Sequence, residues 1–338
     1  MKHFSWLLAG VAVAGISGTA EAAPVDALNA MRDYNLIVFD DFQLNHDIQG
    51  SVYVDGDLSG GNMVGSNHSR YTGAPGLTVT GNVTGQNVKV KNSDVYVGGN
   101  VTGSIEVNDG GSAYIGGSAA PGAVKINGNQ QGRTLETGSS TFAQRLDKAD
   151  FRDLSGALAR FAAETTYSTA DITDRNNYRL TVADLDHNGI AVVNLEEGFL
   201  DSLASYGLYG DALSSLDTVV INVAGTHVSI DANWQSGTLS NLFASEHVIW
   251  NFFEAETVSL STQIFGSVLA PNALLSNVTP IDGSVVAGSF AQGGQVHLPR
   301  YSGTGLTFNP PVEMPEPAVA GLVGLGFLGV AAVRRRKS

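Results

Sequence analysis

Two aspartates, Asp55 and Asp57, stand two positions apart and could face the same way at the edge of a strand. Paired carboxylates of this kind carry out glycoside hydrolysis, one as general acid and the other as nucleophile or base. Gly56 lies between them, however, and aspartate beside glycine is common in turns, where its side chain bonds to the local backbone. We therefore favour a structural turn here, and keep a polysaccharide-degrading enzyme as an alternative function.

Residues 184–189, with the sequence DLDHNG, open like a calcium-binding loop. The candidate ligands are Asp184, Asp186 and Asn188. Such a loop needs a bidentate acid at its twelfth position, but Leu195 stands there and Glu196 comes one residue later. A polar turn is favoured, so we predict no metal and no cofactor, with calcium as the alternative at this loop.

Other catalytic groups are scarce. The chain has no cysteine, which excludes thiol nucleophiles and thiolate metal sites, and its seven histidines show no metal-ligand spacing. The sequence contains neither a nucleophile elbow nor a phosphate-binding loop. We predict no catalytic residues and a non-enzymatic protein.

Charge and composition limit the partners. The formal net charge is −14 at pH 7, and it becomes more negative without the basic C-terminal tip. Such a surface repels nucleic acid and anionic lipid headgroups, so we exclude both as main partners. The 41 glycines and low charged fraction of 15% suit many short strands joined by tight turns.

A repeat runs through the first half of the chain. Four seven-residue segments align without gaps, and their starts are 25, 18 and 18 residues apart: 52–58, 77–83, 95–101 and 113–119. Segments 266–273 and 283–290 repeat the theme 17 residues apart. A fixed period with an apolar-x-apolar centre is typical of solenoids. We predict a mainly β fold, a right-handed parallel β-solenoid with one long packed α-helix; the alternative is an antiparallel β-sandwich.

The repeat assigns a direction to each side chain. Successive residues of a strand face opposite sides, so the valines and isoleucines point inward and stack, with Val54, Val79, Val97 and Ile115 in one interior column. Gly56, Gly81, Gly99 and Gly117 fall together at a corner, where a positive φ or crowding excludes a side chain.

The residues between the inward positions form an outward column. We predict a ligand face there, an aromatic strip for sugar rings: Tyr53, Thr78, Tyr96 and Tyr114. The alternatives are that the long helix covers these residues or that they stack as a ladder. Ice binding is a further alternative function, but it needs a regular threonine array, and Thr78 and Thr80 have no threonine counterparts in the following repeats.

One segment, about 142–162, breaks the strand pattern. Its apolar residues follow a helical stripe: Phe142, Leu146, Ala149, Leu154, Leu158 and Phe161. Thr141 and Gln144 form a candidate capping box, and we expect the stripe to lie along the solenoid. A shorter helix is predicted at 197–204, and strands at 190–194, 218–223, 227–230 and 247–252.

The two ends predict export. Residues 1–22 read as a cleavable signal peptide, with a basic start, an apolar run and the small-x-small pattern Ala20-Glu21-Ala22. At the other end a linker, 306–314, leads to Pro315, Glu316 and Pro317 and to an uncharged span, 318–333. Four cations then hold the C-terminus in the cytoplasm: Arg334, Arg335, Arg336 and Lys337. The span of sixteen residues is short for a permanent anchor, which is the alternative.

This tail resembles a PEP-CTERM sorting signal, a resemblance that covers about the last 25 residues. It implies that an exosortase is a processing partner that recognises residues 315–317, with a transient stay in the inner membrane. The implied location is the cell surface or extracellular matrix of a Gram-negative-type bacterium.

The body resembles the choice-of-anchor A domain over about residues 30–305. The resemblance rests on residues 34–42 (YNLIVFDDF), 248–258 (VIWNFFEAETV), 266–273 (GSVLAPNA) and 283–290 (GSVVAGSF). It implies an adhesive module ahead of a surface-anchoring signal, and it brings no catalytic residues. The C-terminal repeats also resemble ice-binding β-solenoids in fold. We therefore expect adhesion, or association with exopolysaccharide or a neighbouring surface.

Overall fold

The computed structural model describes residues 22–66, 73–128, 131–141, 145–185, 187–210, 216–235 and 237–308. The predicted signal segment before residue 22, the sorting motif, the apolar span and the basic tip all lie outside these ranges. Within them, no helix has the length and apolar character that a membrane crossing needs.

Twenty-six short strands and three helices make up the described body. The helices are α1 (Ala22–Asp33), α2 (Lys148–Ala159) and α3 (Asn241–His247), with single 3-10 turns at Thr169–Asp171 and Leu200–Ser202. The strands of the first half are β1 (Leu36–Val38), β2 (Phe42–Leu44), β3 (Val52–Val54), β4 (Leu58–Gly60), β5 (Met63–Val64), β6 (Leu77–Val79), β7 (Val88–Lys91), β8 (Val95–Val97), β9 (Ile105–Asn108), β10 (Ala113–Ile115), β11 (Val124–Ile126) and β12 (Leu135–Thr137). Those of the second half are β13 (Thr165–Tyr167), β14 (Tyr178–Thr181), β15 (Ile190–Leu195), β16 (Ser205–Tyr209), β17 (Thr218–Val223), β18 (His227–Ile230), β19 (Asn233–Trp234), β20 (Val248–Asn251), β21 (Thr257–Leu260), β22 (Ile264–Phe265), β23 (Ser267–Asn277), β24 (Ile281–Asp282), β25 (Val285–Gln292) and β26 (Val296–His297).

The strands wind into a parallel β-solenoid with three faces. Face A is the long sheet in the order β12-β10-β8-β6-β3-β1-β25-β23-β20-β17-β15-β13. Face B contains β18, β21, the second halves of β23 and β25, then β2 and β4, and it continues as single bridges at Val83, Val101 and Ala119. Face C contains β14, β16 and β19, the set β22-β24-β26, and the set β5-β7-β9-β11.

The predicted interior columns are confirmed. Val54 pairs with Val79, Val79 with Val97 and Val97 with Ile115, and all four side chains are fully buried in one cluster. All strand pairs in the described ranges are parallel. The antiparallel sandwich is therefore wrong.

The glycine corner is explained by crowding. The amide of each corner glycine donates to the carbonyl of the one before it: Gly81 to Gly56, Gly99 to Gly81 and Gly117 to Gly99, at 2.8–3.0 Å. A Cβ on Gly99 would lie 2.7 Å from the carbonyl oxygen of Gly81. The backbones of successive rungs (one rung is one full turn of the solenoid) therefore approach too closely for any side chain, as the crowding interpretation requires.

The sheet order shows that the first strand of the chain lies in the middle of the solenoid rather than at one end. Strand β1 pairs with β3 on one side and with β25 on the other. Residues 36–137, the first stack, extend away from β1 in one direction. The chain then crosses to the far end and returns as residues 165–297, the second stack, whose final rung closes against the first.

The early rungs of the second stack differ from those of the first stack in length and interior. Paired asparagines of neighbouring rungs are 18 residues apart in the first stack, at Asn82 and Asn100, but 28 apart at Asn194 and Asn222 in the second. The last rungs of the second stack, from Asn251 onward, are again 17 or 18 residues long. The longer rungs enclose aromatic rings: the centroid of Tyr206 lies 5.6 Å from that of Trp234 and 6.0 Å from that of Trp250.

Two helices cover part of the outer side of face A and form a second apolar cluster with it. Helix α2 is shorter than the predicted 142–162: Asp147 caps it, its carboxylate accepting from the Ala149 amide at 2.9 Å. Of the predicted capping box, Gln144 lies outside the described residues. Leu154 and Leu158 are buried as expected, but Phe151 rather than Ala149 is the third anchor, because Ala149 faces solvent. Helix α1 was not predicted.

Candidate functional site

The predicted ligand face is an unbroken column on the outer side of face A, but its members differ in accessibility. Tyr53 pairs with Thr78, Thr78 with Tyr96 and Tyr96 with Tyr114. Tyr53 and Thr78 are fully buried, so the prediction of a four-residue surface strip is wrong for these two. Tyr96 and Tyr114 are half-buried.

Tyr53 is covered from two directions. Its ring meets Tyr34 edge-on at 5.8 Å and Phe39 at 6.5 Å, and its hydroxyl accepts from the Leu146 amide at 3.1 Å. Burial raises the pKa of this phenol well above its usual value. Tyr53 thus joins the sheet to the segment that leads into α2, which is a structural role.

Tyr96 and Tyr114 stack on each other. Their ring centroids are 4.9 Å apart and their planes differ by 18°. The ladder alternative therefore describes this end of the column, where both rings also contribute to the surface of the first stack.

In the second stack three successive positions of the same column are asparagines beneath α2. Asn251 donates to Asn222 Oδ1 at 2.8 Å and to the Ser155 carbonyl at 2.9 Å, and it accepts from the Ser155 hydroxyl at 2.6 Å. Asn222 in turn donates to Asn194 Oδ1 at 3.0 Å and to the Leu158 carbonyl at 3.1 Å. These bonds fix the position of the helix on the sheet.

Asp55 and Asp57 have different structural partners. Asp55 faces Arg145, with 3.1 Å between Oδ1 and Nη2. Asp57 accepts from the amide of Asn82 at 2.6 Å, and Asn82 accepts in the same way from Asn100 at 2.9 Å. The amide of Asp57 in turn donates to Asp41 Oδ1 at 2.8 Å. Asp57 is therefore one member of a corner ladder of side chains, and the local-turn interpretation accounts for it.

The calcium candidates also serve the local backbone. The Asp184 carboxylate accepts from the amides of Asn188 and Gly189 at 3.0 and 2.9 Å, and Asn188 Oδ1 accepts from Ile190 at 2.7 Å. Asp186 lies outside the described residues. Across the described part of the chain, no cluster of three or more acidic or histidine side chains has a metal-binding arrangement.

Face B presents an outward row of uncharged, mostly small side chains, and the 3-10 turn at Leu200–Ser202 packs beside its β18 end. From the second stack to the first, the row is Ser229, Ser259, Ser276, Ala291, Gln43, Ser59, Thr84, Thr102 and Ala120. Six of the nine are exposed and the three others are half-buried. At the usual spacing of neighbouring strands, nine rungs extend for roughly 40 Å.

Three of the six hydroxyls of this row bond to the backbone. Ser59 donates to the Phe42 carbonyl at 3.4 Å, Thr84 to the Leu58 carbonyl at 3.4 Å and Ser276 to the Val258 carbonyl at 3.5 Å. In each case the acceptor belongs to the neighbouring rung, so the hydroxyl follows the winding of the backbone. Beside the row, Leu274 and Val278 are 49% and 66% exposed and add apolar contact area.

This row is not among the predicted site residues, although the repeat contains it. Each of the four aligned segments ends in an inward residue, at Leu58, Val83, Val101 and Ala119, and the next residue is the outward one. Extending the alignment by one position would have shown Ser59, Thr84, Thr102 and Ala120 as a column of small residues.

Comparison with known proteins identifies a family for most of the body. A family model described as "Putative Ice-binding-like adhesive domain" matches residues 27–298. No curated protein matches the chain.

Two solved structures of ice-binding proteins align with the chain. One, from the Antarctic ascomycete Antarctomyces psychrotrophicus, is 15% identical with a TM-score of 0.32, over 82% of this chain and 97% of that one. The other, from an Antarctic biological consortium, is 15% identical with a TM-score of 0.35, over 80% of this chain and 89% of that one.

Proposed function

Because the chain belongs to the family of ice-binding-like adhesive domains, we propose that it is a non-enzymatic adhesion protein that binds polysaccharide through face B. The single observation that carries this proposal is the outward row of uncharged side chains, six of them serine or threonine, on nine successive rungs of that face. The row contains no charged residue, so it suits a neutral, hydroxyl-rich polymer rather than an ionic one.

Affinity on such a face comes from repetition. One hydroxyl that binds one sugar contributes little, but a polymer that meets many equivalent positions binds each further unit at a high effective concentration. The hydroxyls of Ser59, Thr84 and Ser276 already bond to the neighbouring rung, so little side-chain freedom is lost on binding.

The proposal includes export and sorting. We infer that residues 1–22 direct secretion, that the body is a choice-of-anchor A domain, and that an exosortase processes the PEP-CTERM signal at residues 315–317. The product would reside at the cell surface or in the extracellular matrix of a Gram-negative-type bacterium. Intact-mass measurement of the mature protein tests this: a C-terminus near Pro317 supports sorting, whereas retention of Arg334–Lys337 supports a plain anchor.

The binding test uses bulky substitutions on the outward row. Thr84→Tyr combined with Thr102→Tyr interrupts the flat face, and both side chains point to solvent, so the interior is unchanged. We expect co-sedimentation with insoluble neutral glycans and with the producing strain's exopolysaccharide to fall at least about fivefold. Asn127→Tyr, at an exposed position after β11 of face C, is the control and should bind normally. Equal binding by all three proteins contradicts the role of face B.

Ice binding is the second candidate, favoured by the three successive hydroxyls of Ser59, Thr84 and Thr102 on one flat face. The row is interrupted beyond them by Gln43 and Ala291, which breaks the regularity that an ice lattice demands. Thermal hysteresis by the purified protein, abolished in the Thr84→Tyr and Thr102→Tyr double variant, would place this candidate first.

A further inference from the structure

A cleft opens on the other side of the molecule, where the two helices end and the tyrosine column reaches the surface. Its volume is about 440 Å³, within the range of small-molecule sites. Its walls come from α1, from the start of α2 and the residues before it, and from face A. The residues that matter to its chemistry are Asp26, Asp33, Tyr34, Tyr96, Arg145 and Asp150.

The cleft is acidic because two helices direct carboxylates into it. Asp26 and Asp33 lie seven residues apart on α1, so they share one side of that helix, and Asp150 comes from the first turn of α2. Burial raises the pKa of Asp150, with further contributions from the negative charges of Asp147, Asp26 and Asp153. The carboxylates of α1 and α2 are thus close enough to repel each other.

The one cation among the described wall residues does not balance these charges. Arg145 pairs with Asp55, 3.1 Å away, and Asp55 is not part of the wall. Three carboxylates therefore share the cleft with a guanidinium that another acid already holds. A positively charged group in the cleft would relieve the repulsion around Asp150.

The phenol of Tyr96 makes one wall of the cleft, and its ring stacks on Tyr114. Aromatic walls combined with carboxylates suit a ring that has an apolar side, hydroxyl edges and a cationic substituent. We propose that this cleft is a binding site for an amino-sugar unit with a free amine, as in a deacetylated amino-polysaccharide. The ammonium would lie between Asp26 and Asp150, and the sugar ring against Tyr96.

This site is separate from face B. The cleft lies on the helix-bearing side of face A, whereas the row of small side chains belongs to face B and contributes no residue to the cleft. The cleft would bind a charged sugar, whereas face B would bind a neutral polymer. An experiment can therefore contradict one of the two binding proposals without affecting the other.

The test measures binding of a four-sugar β-1,4-glucosamine oligomer to the full chain by calorimetry in mildly acidic, low-salt buffer. The fully N-acetylated oligomer of equal length is the ligand control, because it has the same rings without the charge. We expect the free-amine oligomer to bind and the acetylated one to bind at least about tenfold more weakly. Equal affinities would overturn the proposal.

Two variants locate the site. Asp26→Asn with Asp150→Asn should weaken binding about tenfold, and Tyr96→Ala should weaken it several-fold, since each removes one of the two recognition elements. Asp109→Asn is the matched control: it removes one exposed carboxylate of face C, and its positive φ of 60° suits asparagine. Unchanged affinity in the cleft variants would overturn the proposal.

Two further measurements separate the alternatives. Spermidine, a polyamine without a sugar ring, should compete poorly, and competition as strong as that of the oligomer would overturn the sugar assignment. The Thr84→Tyr and Thr102→Tyr double variant of face B should bind the glucosamine oligomer normally. Loss of oligomer binding in that variant would show that face B, not the cleft, is the site.

Discussion

The first and second stacks share one outer column but stabilise it by different means. In the first stack the column includes two stacked tyrosines at the surface, and the rungs are short enough for glycine backbones to touch at the corner. In the second stack the column contains three asparagines beneath α2, followed by Leu269 and Val286, and the longer rungs enclose tryptophan and tyrosine rings. Short rungs therefore depend mainly on backbone proximity, whereas long rungs add side-chain filling and a covering helix to it.

This difference matters for where ligands can bind. A stack that is held by its own backbone leaves its outer positions free to vary, so Tyr96 and the face B residues of the first stack can serve binding. A stack whose outer positions fasten a helix has no such freedom there. The contrast can be tested by substitutions that act on one stack and spare the other.

The largest effect is expected from Gly103→Ala in the first stack. A Cβ at Gly103 would lie 1.9 Å from the Gly85 carbonyl oxygen of the neighbouring rung, so the backbones must move apart. We expect a loss of about 3 kcal/mol in the free energy of unfolding, measured by denaturant titration.

Gly156→Ala in α2 is the matched control, because the nearest atom to its Cβ is the flexible end of Arg160, at 3.3 Å. It should stabilise the protein by about 0.5–1 kcal/mol, since alanine favours helix. Similar destabilisation by both variants would contradict the role of backbone proximity.

A smaller effect is expected from Asn251→Ala in the second stack. The change removes the bonds to Ser155 and Asn222 and leaves buried polar groups without partners, which costs about 2 kcal/mol. Tyr114→Ala, at the same outer column in the first stack, should cost less than about 1 kcal/mol because its ring is half exposed. Equal costs at the two positions would show that the column plays one role throughout.

The smallest effect is a gain from Tyr206→Phe. The Tyr206 hydroxyl is buried in the second stack and has no hydrogen-bond partner among the described residues, so its removal should stabilise the fold by about 1 kcal/mol.

Alkaline titration gives a second readout of Tyr206. Burial raises the pKa of this phenol above its ordinary value of 10.0, so above pH 10 the unfolded state loses the proton first. Stability therefore falls as pH rises above that value, and it should fall less steeply in the Tyr206→Phe protein than in the parent. Identical pH profiles would mean that Tyr206 does not contribute to alkaline unfolding.

The sequence predicts the interior of the first stack well. Four apolar residues recur at the same position of successive repeats: Val54, Val79, Val97 and Ile115. Because side chains alternate between the two sides of a strand, this position must face the interior in every repeat. The strands at 218–223 and 227–230 agree with the structure for the same reason: each is an apolar run between turn signals.

The covering of face A could not be predicted in this way. Whether Tyr53 is exposed depends on Tyr34 and on α1. The sequence of α1 does not follow the repeat of the strands, so the repeat does not predict where this helix packs. Two positions in the sequence could start α2: Asp147, a good N-cap, and the capping box at Thr141. The structure uses Asp147. Tertiary packing determines both the burial of Tyr53 and the start of α2.

The pairing of β1 with β25 has a consequence for synthesis. Until residues 285–287 are made, the amide and carbonyl groups on one edge of Leu36–Val38 lack their partners, in the centre of what will become the longest sheet. A nascent chain that stops short of β25 therefore carries an open strand edge, the kind of template on which foreign strands add. This strand edge is therefore closed only when the last rung of the body has been synthesised.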